Sequence, residues 1–189
     1  MVKMIKEYFE DHVSVINKTL TSNLNAIEKA AKLMSDVLNN NGTIFWCGNG
    51  GSAADCQHLA AELVGRFKKD RVPLNSLSLT VDSSVLTCIS NDYSYDDIFS
   101  RQVEALGRKG DLLVGISTSG NSENVCKAIE VAKNKSLKTL VLTGSTGKLK
   151  MLSDQAIQIP SNDTARIQET HILIGHILCA LIEKNLNLS

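Results

Sequence analysis

The stretch Cys47 to Leu63, CGNGGSAADCQHLAAEL, limits the possible folds more than any other part of the chain. Thr43-Ile44-Phe45-Trp46-Cys47 is an apolar run of strand length, and Gly48, Gly50 and Gly51 allow the positive φ angles of a sharp turn. Ser52 and Asp55 have capping-box spacing, which predicts a helix from Ser52 to Phe67. A strand, a glycine turn and a helix in succession leave free N–H groups at the helix start, where an anion, most often a phosphate, is the usual occupant. Four residues apart on the same helix, His58 and Glu62 share a face. By itself such a pair is an ordinary surface contact worth about a few tenths of a kcal/mol.

The same turn fits G-x-G-x-x-A, the dinucleotide fingerprint, through Gly48 to Ala53. That fingerprint also needs a carboxylate roughly 20 residues later at a strand end, and the chain has the polar run Lys68-Lys69-Asp70-Arg71 there. The acid that would complete a nicotinamide site is therefore missing.

Alternation continues along the chain. Thr43 to Cys47, Ser76 to Thr80, Leu112 to Ser117, Lys138 to Thr143 and Ala156 to Ile159 read as strands, apolar nearly throughout, as strands covered on both faces are. Helical patterns fall between them at Ser83 to Ile89, Ile98 to Leu106 and Ser122 to Lys135, and a last one runs from Thr164 to Asn185. The expected fold is an α/β three-layer sandwich with a five-stranded parallel sheet in flavodoxin-like order. Two amphipathic helices, separated at Thr21-Ser22-Asn23, are expected over residues 5–40. Lacking strands of their own, they read as an extension, 1–40, that packs on the core or on another copy of the chain.

Composition narrows the function. Within 189 residues, twenty acidic and twenty basic residues cancel, so no field points to nucleic acid, and Lys68, Lys69 and Arg71 read as a solvated face. A chain of this length suits one domain. Cys47, Cys56, Cys88, Cys126 and Cys179 lack C-x-x-C spacing and read as reduced core thiols, hence a cytosolic setting. There is no signal-peptide pattern and no apolar run of about 18 residues, so neither secretion nor membrane spanning is expected.

Ligands of open α/β sheets bind beyond the carboxyl ends of the strands. There the third strand enters Ser117-Thr118-Ser119-Gly120-Asn121-Ser122, four hydroxyls just before a helix. Capping needs only one, so the segment reads as a second anion cradle. Gly115-Ile116-Ser117-Thr118-Ser119 has serine where G-x-S-x-G needs glycine, which excludes a hydrolase elbow, and no G-K-[ST] ending marks an ATP loop. Gly144-Ser145-Thr146-Gly147 reads as a plain turn. On the last helix Arg166, Gln168, Glu169, His171 and His176 stand among apolar residues, where a histidine is usually a core residue.

Taken in order, G-N-G-G-S-A-A-D-x-Q-H-x-x-x-E, Asn91-Asp92, I-S-T-S-G-N-S at Ile116 to Ser122 and A-R-I-Q-E-x-H-x-x-x-x-H from Ala165 to His176 resemble the phosphoheptose isomerase family of the SIS (sugar isomerase) fold. The resemblance spans nearly the whole chain. It implies interconversion of sedoheptulose 7-phosphate and a glycero-manno-heptose 7-phosphate, the entry to ADP-heptose for bacterial lipopolysaccharide. It also implies that Ser117, Thr118, Ser119, Ser122 and Ser52 hold the phosphate, and that Asn49, Gly50, Gly51, Asn91, Asp92 and Gln168 line the sugar. By the same resemblance Glu62 and His176 are the acid-base pair. His58, Glu62, Gln168 and His176 are the ligands of a zinc ion that some members carry, and the assembly is a tetramer with sites between subunits. A glutamate that is both ligand and base has its lone pair committed twice. On one straight helix Gln168 and His176 are about 12 Å apart along the axis and roughly 80° out of phase, so either Gln168 lies at a distorted helix start or the four ligands come from two chains, and the second is the expectation. Arabinose 5-phosphate isomerase and non-catalytic sugar-phosphate sensors or protein-binding modules of the same fold are the alternatives.

Overall fold

The computed structural model describes residues 1–188. Five parallel strands, β1 (Ile44–Gly48), β2 (Ser76–Ser78), β3 (Leu112–Ser117), β4 (Lys138–Thr143) and β5 (Gln155–Gln158), form one sheet in the order β2-β1-β3-β4-β5. The register pairs Trp46 with Ser78 and Val114, and Ser117 with Thr143. β1 and β3 are buried at every position because helices cover both faces.

Among the described residues seven α-helices and one 3-10 turn (Tyr95–Asp97) accompany the sheet: α1 (Val2–Asn39), α2 (Gly51–Val64), α3 (Ser83–Asp92), α4 (Ser100–Leu106), α5 (Glu123–Asn134), α6 (Leu149–Leu152) and α7 (Thr164–Asn185). Alternate strand residues point to opposite faces and so build two cores. Ile44, Trp46, Val114, Ile116, Leu140 and Leu142 meet α1, α2 and α7. Phe45, Cys47, Leu113 and Val141 meet the side of α3 to α6. After β1 the chain winds to one face and after β3 to the other. This reversal of strand order opens a crevice at the carboxyl ends of β1 and β3.

Several sequence expectations need correction. The two N-terminal helices are one helix of 38 residues. At the expected break, Thr21 and Ser22 donate their hydroxyls back to the Lys18 carbonyl, and buried Asn23 donates to the Gln158 carbonyl at 2.9 Å. Polar groups that might have ended the helix are satisfied on it or across it. α2 begins at Gly51, with Gly50 as its cap and no side-chain capping bond, so Ser52 and Asp55 form no capping box. It stops at Val64 rather than Phe67, and the short α6 was not foreseen. Cys88 is exposed, whereas the other four cysteines are buried and free. Lys68 and Lys69 are exposed as expected, but Arg71 is not part of that solvated face: its side chain pairs with Glu183 in the interior. No helix of the described residues is long and apolar enough to cross a membrane.

Candidate active site

The glycine turn follows β1. Gly50 has φ 57 and ψ −123, a combination open to glycine but strained for other residues, and it turns the chain sharply into α2. Gly51 lies directly under the Gln168 carboxamide, with no room for a Cβ, which brings the start of α7 against the start of α2. Ser52 is buried beneath the turn.

Across the crevice, the segment after β3 gathers hydroxyls. Ser117 Oγ lies 2.9 Å from Ser122 Oγ and 3.4 Å from Ser119 Oγ, and Ser119 Oγ accepts from the Asn121 N–H. Ser122 occupies the cap position of α5, yet its side chain makes no capping bond. Its hydroxyl turns to Ser117 instead. The serines therefore converge on one another at a helix start, as an anion cradle requires.

Two turns along α2, His58 and Glu62 meet α7. His58 Nε2 lies 3.0 Å from Glu62 Oε1 and 3.3 Å from His176 Nε2, and the three ligand atoms all lie within 4.8 Å of one another. One ring nitrogen carries at most one proton, so His58 cannot satisfy both neighbours by hydrogen bonding. Two imidazoles and a carboxylate facing one point form a donor set that suits zinc. Phe67 stacks on the His176 ring at 5.6 Å between centroids, fixing its plane.

Three of the four expected ligands, His58, Glu62 and His176, meet within one chain. Gln168 is not with them. Its carboxamide covers Gly51, about 10 Å of helix rise from His58. Asn91 and Asp92 end α3 on the surface, hydrogen-bonded to each other at 2.8 Å. Thr118 passes its carbonyl to the Gly144 N–H, which fixes the hydroxyl segment against the β4 end.

Four contributors were missed by sequence reasoning. Asn124 and Tyr95 both bond the Asn49 side chain. Phe67 was assigned to the helix end, and Gly147 to a plain turn although it packs against Gly120 of the hydroxyl segment. No local signal marks them, because each contact joins segments far apart in sequence. Of the two histidines on α7, His171 is the core residue and His176 faces the site.

The SIS domain family matches residues 7–144. A phosphoheptose isomerase of Helicobacter pylori strain P12 is 52% identical over 183 residues, covering 96% of this chain and 95% of that protein. The solved phosphoheptose isomerase of Neisseria gonorrhoeae superposes with TM-score 0.92 at 42% identity, covering 96% of this chain and 98% of the other. That of Francisella tularensis superposes with TM-score 0.94 at 38% identity, covering 97% and 98%. With a hydroxyl cradle and a histidine-glutamate-histidine cluster at the carboxyl end of a β2-β1-β3-β4-β5 sheet, and with relatives matched over nearly its full length, the chain belongs to the phosphoheptose isomerase family of SIS-domain proteins.

Proposed function

We propose that the chain converts sedoheptulose 7-phosphate to D-glycero-D-manno-heptose 7-phosphate by proton transfer through an enediolate. The observation that carries this reading is the meeting of Glu62 and His176, 114 positions apart, on the two sides of His58. A ketose becomes an aldose when one proton leaves C1, another reaches C2, and the charge on the neighbouring oxygen is held in between. Carboxylate and imidazole suit that exchange, each contributing about 10²- to 10⁴-fold when positioned. Glu62 has two oxygens, so Oε1 can stay on the His58 side while Oε2 takes the carbon-bound proton. His176, its ring plane fixed by Phe67, has Nε2 on the His58 side and delivers a proton on the oxygen side through its other ring nitrogen.

Ser117, Thr118, Ser119, Ser122 and Ser52 hold the phosphate in this reading. The sugar then runs from the α5 start along Asn49, Gly50, Gly51, Asn91, Asp92 and Gln168 toward His58. The donor set fits zinc: His58, Glu62 and His176 would hold it, with Gln168 as a fourth ligand only if its side chain swings away from Gly51. A zinc ion held there would supply Lewis-acid chemistry, polarising the carbonyl.

The chain acts as one SIS unit, with residues 1–40 serving assembly into a homotetramer whose sites lie near subunit boundaries. A groove of 620 Å³ between α1 and α7, lined by Ile16, Leu20, Leu24, Leu173 and Ile177, offers the apolar face such an assembly covers. A cytoplasmic enzyme at the first step of ADP-heptose synthesis for lipopolysaccharide agrees with the reduced cysteines.

The test is turnover of sedoheptulose 7-phosphate by the wild type beside Glu62→Gln and His176→Gln. Each variant is expected to lose about 10²-fold or more in kcat. Wild-type activity no greater than that of both variants, with binding retained, would assign the chain to non-catalytic sugar-phosphate binding. Faster turnover of arabinose 5-phosphate would change the substrate.

A further inference from the structure

Asn49 sits at the tip of the glycine turn, and its carboxamide is already engaged. Nδ2 donates to Asn124 Oδ1 at 2.8 Å, Asn124 Nδ2 donates back to Asn49 Oδ1 at 2.9 Å, and the Tyr95 hydroxyl donates to the same Oδ1 at 2.9 Å. A carbonyl oxygen has two lone pairs, and both are taken. Asn124 is also full on its acceptor side, because Oδ1 accepts from the Val125 N–H at 2.9 Å as well. Asn49 Oδ1 thus has no capacity left for a sugar hydroxyl.

The location of this pair gives it a consequence. Asn49 belongs to the turn that feeds α2 on one face of the sheet, and Asn124 to the first turn of α5 on the other face. The two amides bridge the crevice where strand order reverses. Asn124 is 2% exposed, so the bridge is shielded on the α5 side and hydrogen bonds there are strong. Tyr95 follows Asp92 by three residues and brings the end of α3 to the same point.

We propose that Asn124 and Tyr95 are positioning residues which act through the Asn49 side chain, holding the glycine turn at a set distance from the serine cradle, so that Asn49 presents backbone rather than carboxamide oxygen to the sugar. This rests on the isomerase reading. Displacing the turn moves the carbon chain relative to Glu62 and His176 without touching either, and a shift of about 1 Å at such a place costs about 10²-fold.

The experiment is a double-variant cycle of Asn49→Ala, Asn124→Ala and both together, with Tyr95→Phe as an exposed change that leaves folding intact. kcat/KM for sedoheptulose 7-phosphate is expected to fall about 10- to 100-fold in each asparagine variant, and the double variant should be no worse than the poorer single one. Tyr95→Phe should lower kcat/KM in the wild-type background and have no effect with Asn49→Ala. Competitive inhibition by inorganic phosphate should stay within about twofold, whereas general loosening of the fold would weaken it in parallel. Losses that multiply in the double variant overturn the proposal, as does an Asn124→Ala enzyme within twofold of wild type. The cycle is repeated as calorimetric affinity for the ketose phosphate in a Glu62→Gln background. Absence of wild-type turnover therefore sinks the isomerase reading alone, and the binding cycle still decides the role of Asn124.

Discussion

His171 shows how burial sets the chemistry of a single residue. It is fully buried on α7, neither ring nitrogen has a hydrogen-bond partner among the described residues, and burial pushes its pKa from 6.5 down to about 4, with the nearby Thr143 backbone acting in the other direction. The ring is therefore neutral in the fold across the physiological range. Above pH 6.5 the folded and unfolded forms are both neutral there, and stability is at its full value. As pH falls from 6.5 toward 4 the unfolded chain binds a proton that the folded chain refuses, and stability drops by about 1.4 kcal/mol per pH unit. His171→Leu removes that proton uptake. Urea unfolding of both proteins at pH 7.5 and pH 5 should show the difference between them moving in the variant's favour by about 2 kcal/mol. An unchanged difference would mean that the ring is solvated or paired. From sequence, His171 and His176 were alike, because only packing against β4 or against His58 separates them.

At the scale of elements, the sequence was legible where periodicity carries the information. Five apolar runs became five parallel strands, with shifts of one or two residues at β1, β2 and β5, since burial on both faces leaves little else for such runs to do. It was illegible where a distant partner decides: α1 continues through Thr21-Ser22-Asn23 because β5 supplies a carbonyl to Asn23. The Gly147 turn is a similar case. Gly147 has φ 104 and Gly120 has φ 66, and a Cβ on Gly147 would lie 2.5 Å from Gly120 backbone atoms. The turn between β4 and α6 is thus the floor under the serine cradle, and the Leu149 N–H donates to the Gly120 carbonyl at 3.0 Å to close it. Gly147→Ala must push strain of about 1–3 kcal/mol into that loop. At about 1.4 kcal/mol per tenfold in affinity, KM for the sugar phosphate should rise about tenfold, with kcat little changed. Gly110→Ala is the control, since Gly110 has φ 99 but open space around it and lies ahead of β3 at the far end of the sheet. Equal effects on KM from the two substitutions would refute a role for the turn in phosphate binding.

Across the whole molecule, one buried ion pair ties the carboxyl end of α7 to the site. Arg71 Nε donates to Glu183 Oε1 at 3.0 Å with the two side chains 2% and 3% exposed. The guanidinium also donates to the carbonyls of Glu62 and Leu63 at 2.9 Å, while Glu183 accepts from the N–H groups of Phe67 and Lys68. Phe67 in turn stacks on His176. The pair thus fixes the backbone of the glutamate and the platform of the histidine together. Removing one member of such a pair strands the other charge in the interior, at a cost of about 3–5 kcal/mol, whereas replacing both by apolar residues is often close to neutral. Glu183→Gln should therefore lose about that much stability in urea unfolding, and Arg71→Met combined with Glu183→Leu should recover most of it. Activity should not follow stability. The double variant still lacks the acceptor for Phe67 and the donor for Glu62, so its kcat should stay well below that of wild type. If kcat returned along with stability, the pair would be a packing feature only. If Glu183→Gln unfolded within about 1 kcal/mol of wild type, the pair would be wet, because exposed bridges are worth no more than that.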